Sequence, residues 1–240
     1  MRAVFAQTRV ELLLTLRRGE SVLLAIGIPV LLLVFFSTVD VGFIERDDPI
    51  DFVAPGVLAL AVMSTAMVGL GIATGFERQY GVLKRLGASP LGRPALLAAK
   101  TLSILAVEVL QIGVLVVIAL LLGWEPDGSA LAAAFAMLLA TIGFAGIGLL
   151  MAGTMRGELV LAAANGLYLV LLLLGGMVIP LAKLPATARS VARLLPAAAL
   201  SDALHGAFAH AADIPTRAWL VLLVWAVLAP VAAALTFRWE

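Results

Sequence analysis

The chain has 240 residues, of which 63% are hydrophobic and 13% charged, and its mean hydropathy is +1.13. A soluble domain carries about 25% charge, so too few polar side chains exist here to cover an apolar core, and a water-soluble globular protein is excluded. The net charge of +1 says little, because in a membrane protein the location of charge matters more than its sum; the absence of cysteine excludes disulfides, thiolate metal sites and thiol catalysis.

At about 20 apolar residues per helical span, the length leaves room for about six spans with short loops. Residues 1–20 are not one of them. Phe5, Leu12, Leu13 and Leu16 can share one helical face while Arg2, Arg9, Arg17 and Arg18 are polar. That pattern predicts an amphipathic helix in the membrane interface, its arginines toward anionic headgroups. A cleaved signal peptide is the competing reading. The first apolar run, residues 21–39, exceeds the ~7–15 residues of a signal core and follows a long leader, so a retained first span is expected.

The second span is expected over residues 52–76, the third over 95–123 and the fourth over 130–154. The fifth follows over 159–181 and the sixth over 218–237. Pro29, Pro55 and Pro230 fall inside or at the ends of spans, where neighbouring helices can satisfy the backbone groups they free. The third run, as one helix, would measure about 43 Å and must tilt, kink or project into water.

Lys and Arg set the orientation. With the N-terminus inside, Arg2, Arg9, Arg17, Arg18, Arg78, Lys84, Arg85, Arg93, Lys100, Arg156 and Arg238 are internal, eleven of the sixteen bases. The contrast is sharpest early: residues 40–51 carry five acids and one Arg, residues 77–100 five bases and one acid. Both termini are therefore expected on the cytoplasmic side. Residues 182–217 are moderately apolar and broken by Pro185, Pro196 and Pro215. They are too short for two spans, which need about 40 residues plus a turn. One full span would bury some of Arg193, Asp202, His205 and His210. A helical hairpin that enters the outer leaflet and returns fits both constraints.

The most specific stretch is the exit of the second span. Phe52-Val53-Ala54-Pro55-Gly56 opens that span, and its exit reads Glu77-Arg78-Gln79-Tyr80-Gly81-Val82-Leu83-Lys84-Arg85-Leu86-Gly87-Ala88-Ser89-Pro90-Leu91-Gly92-Arg93. The spacing predicts a short helix with an apolar edge of Tyr80, Leu83 and Leu86 between Arg78, Lys84 and Arg85, ended by Gly87 and Pro90. Taken alone, this is equally an interfacial connector held by headgroups. A second stretch, Leu174-Gly175-Gly176-Met177-Val178-Ile179-Pro180, leads to Leu184-Pro185, Leu194-Leu195-Pro196 and Ala203-Leu204-His205-Gly206.

These two stretches, in this order on this topology, resemble the ATP-binding-cassette type-2 exporter permeases, a family of drug, lipid and polysaccharide exporters. They cover about a third of the chain. The resemblance implies an all-α integral membrane permease, with residues 1–240 as one domain. Spans one to five would fill residues 21–181, a re-entrant exit hairpin marked by Pro180, Pro185 and Pro196 would fill 182–216, and span six and a tail 217–240. It further implies that Glu77, Arg78, Tyr80, Gly81, Leu83, Arg85, Leu86 and Pro90 form a coupling helix that docks into a cytoplasmic ATPase. The N-terminal helix would be a second contact or lever. Two permeases and two ATPase domains would assemble, with ATP and Mg on the ATPase and no cofactor on this chain. The short first external loop leaves no room for the large extracellular domain of some relatives.

No Gly-x-x-x-x-Gly-Lys-Ser/Thr run occurs in the sequence, so ATP hydrolysis would belong to another polypeptide. No catalytic or metal site is expected; His205 and His210, five apart, point to different helix faces. Glu108 and Gln111, one turn apart near the middle of the third run, are the polar candidates for the translocation pathway or a permease interface, with Asn165 in span five. A mid-bilayer carboxylate costs about 2.5–3.5 kcal/mol on insertion scales, so Glu108 must face protein or water, or be protonated. The bland alternative is a packed Glu and an inter-helix Asn. Gly71-x-x-x-Gly75, Gly148-x-x-x-Ala152 and Ala162-x-x-x-Gly166 are small-residue pairs that let helices approach closely. Two rival functions remain on the residues alone: a proton-coupled secondary transporter using Glu108, and an intramembrane enzyme, for which a His or Asp within a span is lacking.

Overall fold

The computed structural model describes residues 2–17, 19–39, 49–87, 92–209 and 213–237; Pro90, His210 and residues 40–48, most of the acidic loop, lie outside them. Every regular element among the described residues is helical. Lipid offers the backbone no hydrogen-bond partners, so each apolar segment must bond within itself.

Helix α1 (Arg2–Arg17) precedes α2 (Gly19–Thr38), which contains Pro29. The second span is a single rod, Ile50–Gln79, made of α3 (Ile50–Met63), a π-helical turn (Ser64–Gly69) and α4 (Leu70–Gln79). A short helix α5 (Val82–Gly87) follows, then α6 (Arg93–Leu121), whose 29 residues match the long third run. Helices α7 (Ala130–Thr154) and α8 (Gly157–Leu174) come next. A 3₁₀ turn (Leu181–Lys183), α9 (Ala186–Ala192) and α10 (Pro196–Phe208) lead to α11 (Thr216–Thr236). Among the described residues, five helices are long and apolar enough to cross a membrane: Ile50–Gln79, Pro94–Leu121, Ala130–Thr154, Gly157–Leu174 and Thr216–Thr236. Leu23–Thr38 of α2 is a shorter apolar stretch. The expected six spans are met as five, or six with α2.

The second-span rod lies at the centre, ringed by α2, α6, α7, α8 and α10. Phe52 through Met63 are all buried. Without a hydrophobic force between helices in lipid, such crowding needs small residues at the crossings. Gly71 and Gly148 supply one. A side chain on Gly148 would meet the Met67 carbonyl 2.6 Å away, and one on Gly71 the Gly148 backbone at 3.1 Å. Along α7, Gly146 sits against Ala229 and Pro230 of α11, so those two helices run side by side.

The fifth span ends at Leu174, short of the expected residue 181. The apolar run continues, but Gly176 turns left-handed at φ +69°, a conformation glycine adopts without a Cβ penalty, and so ends the helix. The chain then bends toward span two, where the Met177 carbonyl packs on Gly56. Ser129 caps α7, its Oγ accepting from the Ala132 amide at 3.2 Å, and the Ser129 amide donates to Ala207 of α10 at 2.7 Å.

Candidate functional site

Three polar regions stand out against the apolar bundle. The first is the exit of span two. Gly81, at φ +73°, lets the chain reverse between α4 and α5. Two ionic or charge-assisted contacts fix the last turn before that reversal. Glu77 Oε2 accepts from Lys100 Nζ at 2.6 Å. Arg78 Nη1 donates to the Ala152 and Met155 carbonyls, both at 3.1 Å, at the C-terminal end of α7. A cation there satisfies carbonyls the helix leaves open and meets the negative end of its dipole.

The expected apolar edge of the short helix splits in two. Leu83 is 0% exposed and belongs to the chain's own core, with Leu86 half-buried beside it. Tyr80 is 72% exposed, stacked on Phe76 at a ring distance of 6.1 Å, and Val82, Lys84 and Arg85 are exposed with it. Leu83 therefore holds the loop onto the bundle, and the outward surface is Tyr80, Val82, Lys84 and Arg85. The reason is local: with six residues, α5 has one inward face, and the core claims it.

The second region is inside the bundle. Glu108 is 2% exposed, and its Oε2 accepts from Thr141 of α7 at 2.6 Å. Gln111 is fully buried; its Nε2 donates to the Ala25 carbonyl of α2 at 2.6 Å, and its Oε1 accepts from Thr65 at 2.9 Å. Thr65 lies in the π-helical turn, a departure from α geometry that often marks functional positions. Glu108 and Gln111 thus share one interior face of α6 and join four helices. Asn165 is not with them. It is exposed on α8 and bonds back to the Leu161 carbonyl at 2.8 Å.

The third region is the hairpin. Pro180 and Pro185 precede the 3₁₀ turn and α9, and Pro196 opens α10 as its first residue, the position where a missing N–H costs nothing. Arg189 closes the approach by donating to the Ala182 and Leu184 carbonyls at 2.6 and 2.8 Å. Asp202 pairs with Arg217 at 2.9 Å; burial pushes its carboxyl up, and the Arg217 guanidinium opposes that shift. His205 packs at a tilt against Phe52 with ring centroids 4.7 Å apart, and its Nε2 lies 3.1 Å from the Phe52 carbonyl. Trp225 Nε1 of α11 donates to the Leu194 carbonyl between α9 and α10 at 3.0 Å.

Sequence reasoning missed Glu11, Lys100, Thr65, Thr141 and Trp225. One signal was available for the first two: ionisable residues in or beside apolar runs are almost never buried unless paired.

Helices of membrane-crossing length, with most of their charges toward the ends and a buried polar seam inside, define a multi-pass membrane protein. Residues 2–209 match the ABC-2 type transporter family, and the chain belongs to that family. It is a membrane permease of an ABC transporter, a transport component whose family associates with ABC ATPase subunits. No curated protein matches the sequence.

Proposed function

We propose that the chain is one permease of an ATP-driven exporter in a bacterial-type inner membrane. It pairs with a second permease, a copy or a relative, and two separate ATPase subunits supply ATP and Mg. The observation that carries this reading is the α4–α5 turn in a chain of this family. Tyr80, Val82, Lys84 and Arg85 project from a loop whose inner side is pinned by Leu83, Glu77 and Arg78. A rigid, outward-facing patch of one aromatic and two cations is suited to a cleft on a cytoplasmic ATPase, since aromatic and Arg side chains dominate interface hot spots.

Other features support the remaining parts. Phe5, Leu13 and Leu16 of α1 are exposed, as an interfacial helix facing lipid requires. The Trp225–Leu194 bond falls nine residues into α11, about 13 Å along its axis at 1.5 Å per residue. That depth fits a hairpin whose tip enters the outer leaflet. The open face of α8, with Ala162, Asn165 and Gly166 exposed, is suited to the second permease and the pathway between the two. Glu108 and Gln111 brace spans one to four from within.

The test is co-purification in mild detergent. Tyr80→Asp with Arg85→Glu should release the ATPase, because losing two hot spots of about 2 kcal/mol each weakens binding up to a thousandfold if additive. The same double mutant should insert and fold normally. Wild-type ATPase association and transport in that variant would overturn the docking assignment.

A further inference from the structure

Helix α1 turns a polar stripe toward the protein. Its apolar Phe5, Leu13, Leu14 and Leu16 are exposed, while Gln7, Thr8, Glu11 and Thr15 lie on the covered or half-covered side. The surface they meet is the first part of α6. Thr8 Oγ1 donates to the Ala99 carbonyl at 3.4 Å, and Gln7 Nε2 donates to Glu11 Oε1 at 2.9 Å. That same oxygen of Glu11 lies 3.0 Å from Lys100 Nζ.

Lys100 is 1% exposed, among the most deeply buried large side chains of the protein. An ammonium out of water is tolerated only when paired and hydrogen-bonded. Its two partners come from different elements: Glu11 from α1, and Glu77, 2.6 Å away, from the last turn of α4. The two carboxylates are therefore less than about 6 Å apart, a separation at which like charges disfavour each other unless a cation lies between them. Lys100 is the cation. Glu77 is followed by Arg78, the Tyr80–Gly81 reversal and α5, so the joint sits at the root of the docking loop.

We infer that Lys100 is a positioning residue that clasps α1 to the exit of span two, so that a push on α5 is carried into α1 and the start of α6. The inference rests on the reading of α5 as the ATPase-docking element. Without the ammonium, two carboxylates repel across the joint, and α1 keeps its packing on α6 and the Thr8 hydrogen bond but loses the ionic tie to the exit of span two.

The test uses the permease with its ATPase in nanodiscs. The chain has no native cysteine, so spin labels at Leu13→Cys and Gln79→Cys, both exposed, report the α1–α4 separation cleanly. Lys100→Met is the direct variant. Lys100→Met with Glu11→Gln removes one charge of each sign, keeps the local net charge, and guards against misfolding. In the native complex the distance distribution should be narrow and shift on trapping with ATP and vanadate. In the double variant it should widen at least twofold and the shift should vanish, while the ATPase still co-purifies; Lys100→Arg should restore both. An unchanged width overturns the clasp. A widened distribution that still shifts with ATP overturns the positioning role and leaves a purely structural one, and a native complex that shows no shift overturns it as well. Failure of the native chain to hold the ATPase would instead sink the docking assignment, with the width in the permease alone still deciding the clasp.

Discussion

At the scale of single residues, the interior of the bundle shows how a few polar atoms fix the register of helices that lipid alone would leave free to slide. Gln111 is the clearest case, because both ends of its amide are engaged by different helices. Replacing it with Leu would keep the volume but orphan the Thr65 hydroxyl and the Ala25 carbonyl. Polar pairs in membrane proteins contribute about 0.6 kcal/mol on average and up to about 1.7, so two lost together should cost about 1–2 kcal/mol. Detergent unfolding of Gln111→Leu should show that loss. Thr65→Val should give a smaller one, since the amide keeps its bond to Ala25. The sequence located Glu108 and Gln111 as polar residues at depth, but their partners were illegible. Thr65 and Thr141 are common helix residues, and nothing in the spacing of one helix says which neighbour it will face. The same holds for Glu11, Lys100 and Glu77, which meet only because three elements converge.

At the scale of elements, composition and periodicity located the helices well, because an apolar run of membrane length has few alternatives to a helix. Boundaries failed where backbone conformation overrode hydropathy. Span five remains apolar through Ile179, yet Gly176 in the left-handed region stops it at Leu174. Helix α5 failed differently. Tyr80, Leu83 and Leu86 were legible as apolar, but only the surrounding core decides that Leu83 turns inward and Tyr80 outward. Small-residue pairs were legible as close-packing sites, and the structure separates them. Gly71 and Gly148 face each other inside the chain, whereas Gly166 has open space around it. Overpacking a filled crossing costs about 1–3 kcal/mol. Gly148→Leu should therefore lower the thermal midpoint in detergent clearly, and Gly166→Leu should leave it nearly unchanged in the isolated chain. Equal shifts at both positions would contradict the packing described.

At the scale of the whole molecule, the decisive quantity is which end of the bundle faces the cytoplasm. Lys and Arg bias set orientation through short loops near span ends, and α1, α5 and the α7–α8 turn gather Arg9, Arg17, Lys84, Arg85 and Arg156 at one end. The opposite end carries Asp51 and Glu125, both exposed. A cysteine at Asp51 should therefore react with a membrane-impermeant maleimide in intact cells. One at Arg156 should react only after permeabilisation; Arg156 is a better reporter than Arg85, which a docked ATPase would shield. A third label decides the hairpin. If α9 and α10 turn back within the outer leaflet, α11 returns the chain to the cytoplasm, and a cysteine at exposed Thr236 is protected in intact cells. If residues 182–217 instead cross the membrane once, α11 runs outward and Thr236→Cys labels from outside. The register of α11 on α7 favours the turn-back: Gly143 lies against Trp225, Gly146 against Ala229 and Pro230, and Gly153 against Phe237, so the two helices run the same way and Thr236 ends at the Thr154 end of the bundle. Protection of Arg156 and Thr236 together with labelling at Asp51 is the expected pattern, and labelling at Thr236 in intact cells would replace the re-entrant hairpin with a seventh crossing.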